Sequence, residues 1–188
     1  MNEKFKEIDK IIITINQNNY LNLEIDGIQI GRIAIYELLL KYKKISLEFN
    51  PSEWQHYLLY LRSTLISFYS CKKIISFEKP DSVVVYNSLY SINSVCCKIA
   101  QNQNIEHYFM HAGTNLSNQH GSLLIGKGFT WRFLRGVVSS WPKVRDIPST
   151  QEQITYSTNH ILELLKANNI FVYSSQKSNK YVDIKKHF

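Results

Sequence analysis

His111 is the residue of this chain best suited to acid–base chemistry. It follows the predicted strand Ile105–Met110, which stops at His111-Ala112-Gly113. A histidine in such a place can accept a proton from a substrate hydroxyl, because an unperturbed imidazole titrates near physiological pH. A histidine that only holds the following loop by a hydrogen bond explains the residue equally well.

Glu37 is the second candidate for acid–base chemistry. It follows Tyr36 on the first predicted helix, where a carboxylate can act as a base or orient a sugar hydroxyl. An isolated glutamate on a helix is more often simply exposed to solvent, so the position alone does not assign a role. Candidate substrate-binding residues are the polar groups near the ends of two predicted strands, namely Asn87, Ser88, Tyr90, Gly113 and Thr114.

The spacing of other residues disfavours several kinds of site. His107 and His111 lie on a predicted strand and no glutamate follows His107, so no metal site is predicted. The sequence has no G-x-x-x-x-G-K-[ST] loop, no G-x-G-x-x-G turn and no G-x-S-x-G elbow. The three cysteines, two of them adjacent, indicate free thiols in a reducing compartment. No cofactor is predicted.

A strand–helix–strand unit is predicted to position the polar strand ends. The run Ser82–Tyr86 is apolar on both faces, which is typical of a strand in a parallel sheet covered by helices. Lys79-Pro80-Asp81 leads into it, and Ser91 can cap the helix that follows. Ile105–Met110 then resumes a strand. We expect two neighbouring parallel strands, with a ligand in the crevice beyond their carboxyl ends.

The rest of the chain alternates predicted strands and helices, which indicates an α/β fold with a mostly parallel sheet and helices on both faces. Asn50-Pro51-Ser52-Glu53 is a helix start, and this helix is expected to run to about Ser70 with a buried aromatic stripe. The other predicted strands are Lys10–Ile15, Tyr20–Ile25, Ile28–Ile30, Ile45–Phe49 and Ile170–Tyr173. The other predicted helices are Ile33–Lys43 and one that starts with a capping box at Ser149–Glu152.

Charge is distributed unevenly in this chain of 188 residues and formal net charge +7. No acidic residue lies between Glu106 and Asp146, while Arg132 and Arg135 are among the basic residues of Lys127–Arg145. The glycine-rich section Thr114–Pro148, which contains these residues, is predicted to be a substrate loop that faces an anion, such as phosphate on a carrier or substrate, an acidic membrane leaflet or nucleic acid. A solvated basic surface is the alternative. The sequence shows no signal peptide and no membrane-spanning run, so we expect a cytoplasmic location.

Two stretches resemble a pattern in bacterial capsule and lipopolysaccharide glycosyltransferases of the GT-B type. They are Asp26-Gly27-Ile28-Gln29-Ile30-Gly31 and, soon after, Ile35-Tyr36-Glu37. The Lys79-Pro80-Asp81 entry, the H-A-G ending at His111 and the closing Val172-Tyr173-Ser174-Ser175 are similar to the same family. The family has aspartate where this chain has Glu37, so the charge is kept and the reach is longer.

The resemblance implies a Rossmann-like, acceptor-binding domain over residues 1–175 and a linker, 176–188, toward a donor domain. Such a domain would bind a glycan or lipid-linked acceptor, and the nucleotide sugar would be bound by the missing C-terminal domain. His111 and Glu37 would then serve the acceptor hydroxyl, Arg132 and Arg135 would bind substrate, and this chain alone would be inactive. Peripheral contact with the inner membrane is left open. The alternative is a basic nucleic-acid-binding module without catalysis, although no RNP-like, KH-like or helix-turn-helix signature is visible.

Overall fold

A computed structural model describes residues 2–112 and 123–165. The chain divides into two compact units, Met1–His111 with Ile125–Gly136, and Ala112–Leu124 with Val137–Phe188. The predicted strand Ile170–Tyr173 and the predicted linker 176–188 lie outside the described residues. The described elements are α1 Asn2–Thr14, α2 Ile30–Tyr42, α3 Pro51–Glu78, β1 Ser82–Tyr86, α4 Ser91–Asn102, β2 Glu106–Ala112, β3 Leu123–Lys127, α5 Thr130–Val144 and α6 Gln151–Leu165.

The sheet contains the predicted parallel pair. β1 and β2 run parallel, with Ser82 opposite Glu106 and Tyr86 opposite Met110, and the order of strands is β1-β2-β3. This confirms both the α/β class and the strand–helix–strand unit. A mostly parallel sheet with helices on both faces is not what the described residues form, because the three-stranded sheet is mixed and has one parallel pair. The side chains of Val84 and Ile125 on this sheet are exposed.

Helix α3 is the centre of the buried core in the first unit. Tyr57, Leu61, Leu65 and Phe68 lie at helical spacing along it and are all buried, which confirms that the predicted stripe belongs to the core. The helix starts at the predicted capping box, in which the Asn50 side chain accepts from the Glu53 amide and the Glu53 side chain accepts from the Asn50 amide. It ends at Glu78 rather than near Ser70.

Several predicted strands in the first half of the chain are wrong. Lys10–Ile15 falls largely in α1, whose Ile8 is buried and whose Ile11 and Ile12 pack against the core. A run of β-branched residues favours a strand locally, but helical spacing lets these residues meet α3. Ile45–Phe49 forms no strand. Its Phe49 ring instead stacks on the Tyr57 ring, with centroids 6.3 Å apart.

The segment Tyr20–Ile30 is a turn region instead of two strands. Ile25 and Ile28 form a single antiparallel bridge around Asp26-Gly27, and both turn residues have positive φ angles, 51° and 74°. The turn predicted at this dipeptide is therefore confirmed. α2 starts at Ile30, three residues before its predicted beginning at Ile33.

The basic section forms regular secondary structure where a loop is predicted from the sequence. β3 and α5 occupy much of it, and α5 alone runs from Thr130 to Val144. Glycine content did not indicate a loop here, because Gly126 lies on β3 and packs against Phe109. A β-carbon at Gly126 would lie 2.4 Å from the Phe109 ring. The capping box of α6 lies one residue later than predicted, with Thr150 and Gln153 exchanging side-chain and backbone bonds.

No helix among the described residues is long and apolar enough to cross a membrane.

Candidate functional site

A groove lies beyond the carboxyl end of β1, where the sequence predicts a ligand. We call it the β1-end groove. Its volume is about 330 Å³. Three segments of the first unit build it: the turn and first turns of α2, the segment from β1 into α4, and the start of α5. The lining residues are Gly27, Ile28, Gln29, Arg32, Ile33, Tyr36, Ser88, Leu89, Ser94, Lys98 and Trp131.

The α2 wall of the groove is fixed by backbone contacts. The side-chain amide of Asn102 donates to the Asp26 carbonyl at 2.9 Å, which ties the turn to the end of α4. Gly31 packs so closely that a β-carbon would lie 1.7 Å from the Tyr20 carbonyl oxygen. The Tyr57 hydroxyl donates to the Gly31 carbonyl at 3.2 Å. Glycine is therefore required at the first turn of this helix.

Ser88 and Thr130 join the end of β1 to the start of α5. The Ser88 amide and hydroxyl lie 3.1 and 3.0 Å from the Thr130 hydroxyl oxygen, and the Thr130 amide donates to the Ser88 hydroxyl at 2.8 Å. Both residues are buried, so the bonds are shielded from water. The predicted substrate-binding Ser88 thus lines the groove and also places Trp131 beside it.

Glu37 is bound to the start of α4. One carboxylate oxygen accepts from the Ser91 amide at 2.7 Å and from the Ser91 hydroxyl at 2.6 Å. Ser91 is therefore the first helical residue and not the predicted cap, because Glu37 satisfies its amide from outside the helix. In the part of the chain that the structure describes, the other oxygen, Oε2, is buried without a hydrogen-bond partner.

Tyr36 and Tyr90 form an aromatic contact next to Glu37. Their ring centroids lie 5.8 Å apart in an edge-to-face arrangement. Burial raises the pKa of Tyr36, and the nearby Tyr90 and Glu37 add to this. The Tyr36 hydroxyl therefore stays protonated and can donate a hydrogen bond into the groove that Tyr36 lines.

Asn87 shapes the turn after β1. Its φ angle is +49°, its amide donates to the Met110 carbonyl at 2.8 Å, and its side-chain oxygen accepts from the Leu89 amide at 3.1 Å. These contacts extend the β1–β2 ladder and then turn the chain toward α4. Asn87 is buried at this strand end, so its side chain acts in the turn.

His111 lies at the end of β2, as predicted. Its ring stacks on the ring of Tyr86, with centroids 5.5 Å apart and planes 13° apart. Glu37 bonds to Ser91 at the start of α4, so the structure gives the two predicted catalytic residues different partners. Gly113 and Thr114 lie outside the described residues.

Arg132 and Arg135 surround Trp131. Their guanidinium carbons lie 5.4 and 5.1 Å from its ring centroid. Arg132 lines a second groove of about 360 Å³ at the start of β2, which we call the β2-start groove. This groove is lined by Gln101, Asn104, Ile105, Glu106, His107, Lys127, Gly128 and Arg132. Predicted anion-binding residues are thus divided between two places.

The two cations of the β1-end groove, Arg32 and Lys98, were not predicted from the sequence. Arg32 directly follows the D-G-I-Q-I-G stretch, and Lys98 lies one helical turn after Ser94 on α4. Helical spacing from the predicted strand end could have indicated Lys98. Nothing in the local sequence indicates that Arg32 and Lys98 line the same groove.

The described residues contain no group of three or more His, Cys, Asp or Glu side chains that could hold a metal ion. Comparisons with protein-family models, with curated proteins and with solved structures gave no match.

Proposed function

We propose that this chain is the acceptor-binding half of a glycosyltransferase that moves a sugar from a nucleotide sugar to a growing surface glycan. The β1-end groove is the observation that carries the proposal. It lies beyond the carboxyl end of a parallel strand, which is where ligands bind in open α/β sheets. It also combines residues of the D-G-I-Q-I-G stretch with Tyr36, both marked by the sequence resemblance, and with Ser88, which the predicted strand end indicated.

The chemistry of the groove suits a sugar. Tyr36 and Trp131 supply flat apolar surfaces on which a pyranose ring can pack, and Gln29 and Ser94 supply polar groups for its hydroxyls. Within this proposal the β1–α4–β2 unit is part of a Rossmann-like sheet. His111 is the proposed proton acceptor for the acceptor hydroxyl, and Glu37 is a positioning residue that holds the start of α4.

The proposal predicts weak, specific saccharide binding by this chain. Short neutral oligosaccharides titrated into ¹⁵N-labelled protein should shift the Trp131 indole signal with millimolar affinity. Trp141, on the same helix, is 63% exposed and does not line the groove, so its indole signal is the internal control. Trp131→Ala should weaken binding about fivefold, because an aromatic packing partner contributes about 1 kcal/mol.

Two results would contradict this function. One is the absence of any saccharide that shifts Trp131 more than Trp141. The other is salt-sensitive binding of single-stranded RNA in the groove without saccharide binding, because cations beside aromatic rings also suit nucleic acid. The second result would replace the proposal by the nucleic-acid-binding alternative.

A further inference from the structure

We infer that the ligand of the β1-end groove carries a phosphate or diphosphate group, which Arg32 and Lys98 bind. The inference rests on the proposed function and extends it to the class of acceptor. It starts from the charge of the groove. Among the described residues that line it, two are cations and none is a carboxylate.

The two cations come from different walls of the groove. Arg32 lies in the first turn of α2, where it is exposed, and Lys98 lies in α4, where it is half-buried. A guanidinium and an ammonium from separate walls suit a group with several charged oxygens, since arginine binds phosphate through a planar fork and lysine acts as a point charge.

Lys98 is held without an acidic partner in the described part of the chain. Its ammonium lies 4.7 Å from the centroid of the buried Phe129 ring and 3.4 Å from the Gln101 side-chain oxygen. The ring stabilises the cation but does not neutralise it. Partly buried charges are normally paired, so an unpaired ammonium in a groove indicates an anion supplied by the ligand.

The acids closest in sequence to the lining residues are already engaged. Asp26 pairs with Lys72 of α3, and Glu37 accepts two hydrogen bonds from Ser91. Among the described residues, neither carboxylate forms an ion pair with Arg32 or Lys98. The hydroxyl of Ser94 lines the same groove and can donate to a phosphate oxygen.

The test uses inorganic pyrophosphate as the probe, titrated at low ionic strength and followed by the NMR signals of Gly27, Ser94 and the Trp131 indole. Arg32→Gln and Lys98→Gln should each weaken binding about tenfold, the effect of losing one charge-assisted hydrogen bond. Lys10→Gln on α1 removes the same charge elsewhere and is the matched control. Thermal melts check that the variants fold.

Five outcomes decide the inference. Absence of pyrophosphate binding overturns it, as does a loss in Lys10→Gln equal to that in the groove variants. Equal binding of glucuronate would overturn the assignment to phosphate. Neutral saccharide binding with no pyrophosphate binding would reject the phosphate site and leave the proposed function standing, whereas the reverse would reject the function and keep the site.

Two further arms identify the source of the phosphate. Glucose 1-phosphate represents a soluble phosphorylated sugar, and neutral phosphatidylcholine vesicles doped with a polyisoprenyl phosphate represent a lipid headgroup. Vesicle binding that requires the dopant and is lost in Arg32→Gln assigns the lipid source. Glucose 1-phosphate binding with the same sensitivity, and no response to the doped vesicles, assigns the soluble source.

Discussion

The β1-end groove and the β2-start groove each contain two cations, but only the second supplies its own carboxylate. In the β2-start groove Lys127 forms an ion pair with Glu106, and the Tyr108 hydroxyl also donates to Glu106 at 2.6 Å. These contacts hold the pKa of Glu106 below its ordinary value and that of Lys127 above it. In the β1-end groove Arg32 and Lys98 have no lining carboxylate among the described residues.

The comparison separates a charge used for folding from a charge available to a ligand. Lys127 and Glu106 join two neighbouring strands and neutralise each other, so their groove keeps only the charge of Arg132. Arg32 and Lys98 come from two helices and keep a local charge of two. The basic character that the sequence assigns to Lys127–Arg145 is therefore only part of the anion-binding potential of the chain.

Gly31→Ala should have the largest effect, because it breaks the wall of the β1-end groove. The added methyl group would lie 1.7 Å from the Tyr20 carbonyl oxygen, and a backbone atom cannot move aside as a flexible side chain can. We expect the free energy of unfolding to fall by about 3 kcal/mol or more, as in severe overpacking. Urea denaturation followed by circular dichroism measures it.

Gly136→Ala in α5 is the matched control for that substitution. Outside its own helix, a β-carbon there meets no atom of the described residues within 4 Å, so the methyl group should raise stability by up to about 1 kcal/mol through helix propensity. Equal destabilisation by both substitutions would show that the contact of Gly31 with Tyr20 is not the cause.

The local pattern of residue types predicted the two parallel strands correctly, but it predicted the lining of the grooves only in part. Ser82–Tyr86 and the strand ending near His111 were found because β-branched and aromatic residues bounded by turn residues indicate a strand by themselves. The isoleucines of Lys10–Ile15 led to a wrong strand prediction, because the contacts that favour a helix there come from α3, far along the chain. Whether Lys127 is paired and Arg32 is not depends on which distant residues meet, and no spacing in the sequence shows this.

Glu106→Gln should make the β2-start groove resemble the β1-end groove, because it removes the lining carboxylate. The amide cannot neutralise Lys127, so Lys127 and Arg132 would together face the β2-start groove. We expect pyrophosphate to shift the Gly128 amide signal with affinity about threefold higher than in the parent, since exposed ion pairs are weak. Glu3→Gln, which removes an exposed acid of α1, controls for net charge. An equal gain in both variants would show that the Lys127–Glu106 ion pair does not control the affinity of this groove for pyrophosphate.

Replacing His107 should have the smallest effect on stability, and this effect depends on pH. It lines the β2-start groove and packs edge-to-face on Phe129, with centroids 4.9 Å apart. Burial lowers the pKa of His107 from its ordinary 6.5, and the cations Arg132, Lys98 and Lys127 lower it further. Histidine in the unfolded chain therefore binds a proton more readily than His107 does in the folded chain.

The sign of the pH effect follows from that difference. As the pH falls below about 6.5 the unfolded chain takes up a proton that folded His107 does not, so stability decreases with acidification until the lower folded pKa is passed. His107→Gln should remove this part of the decrease and leave the pH dependence above pH 7.5 unchanged. Urea midpoints between pH 5 and 8 measure both proteins. The same slope in parent and variant would show that neither burial nor the neighbouring cations lower the pKa of His107.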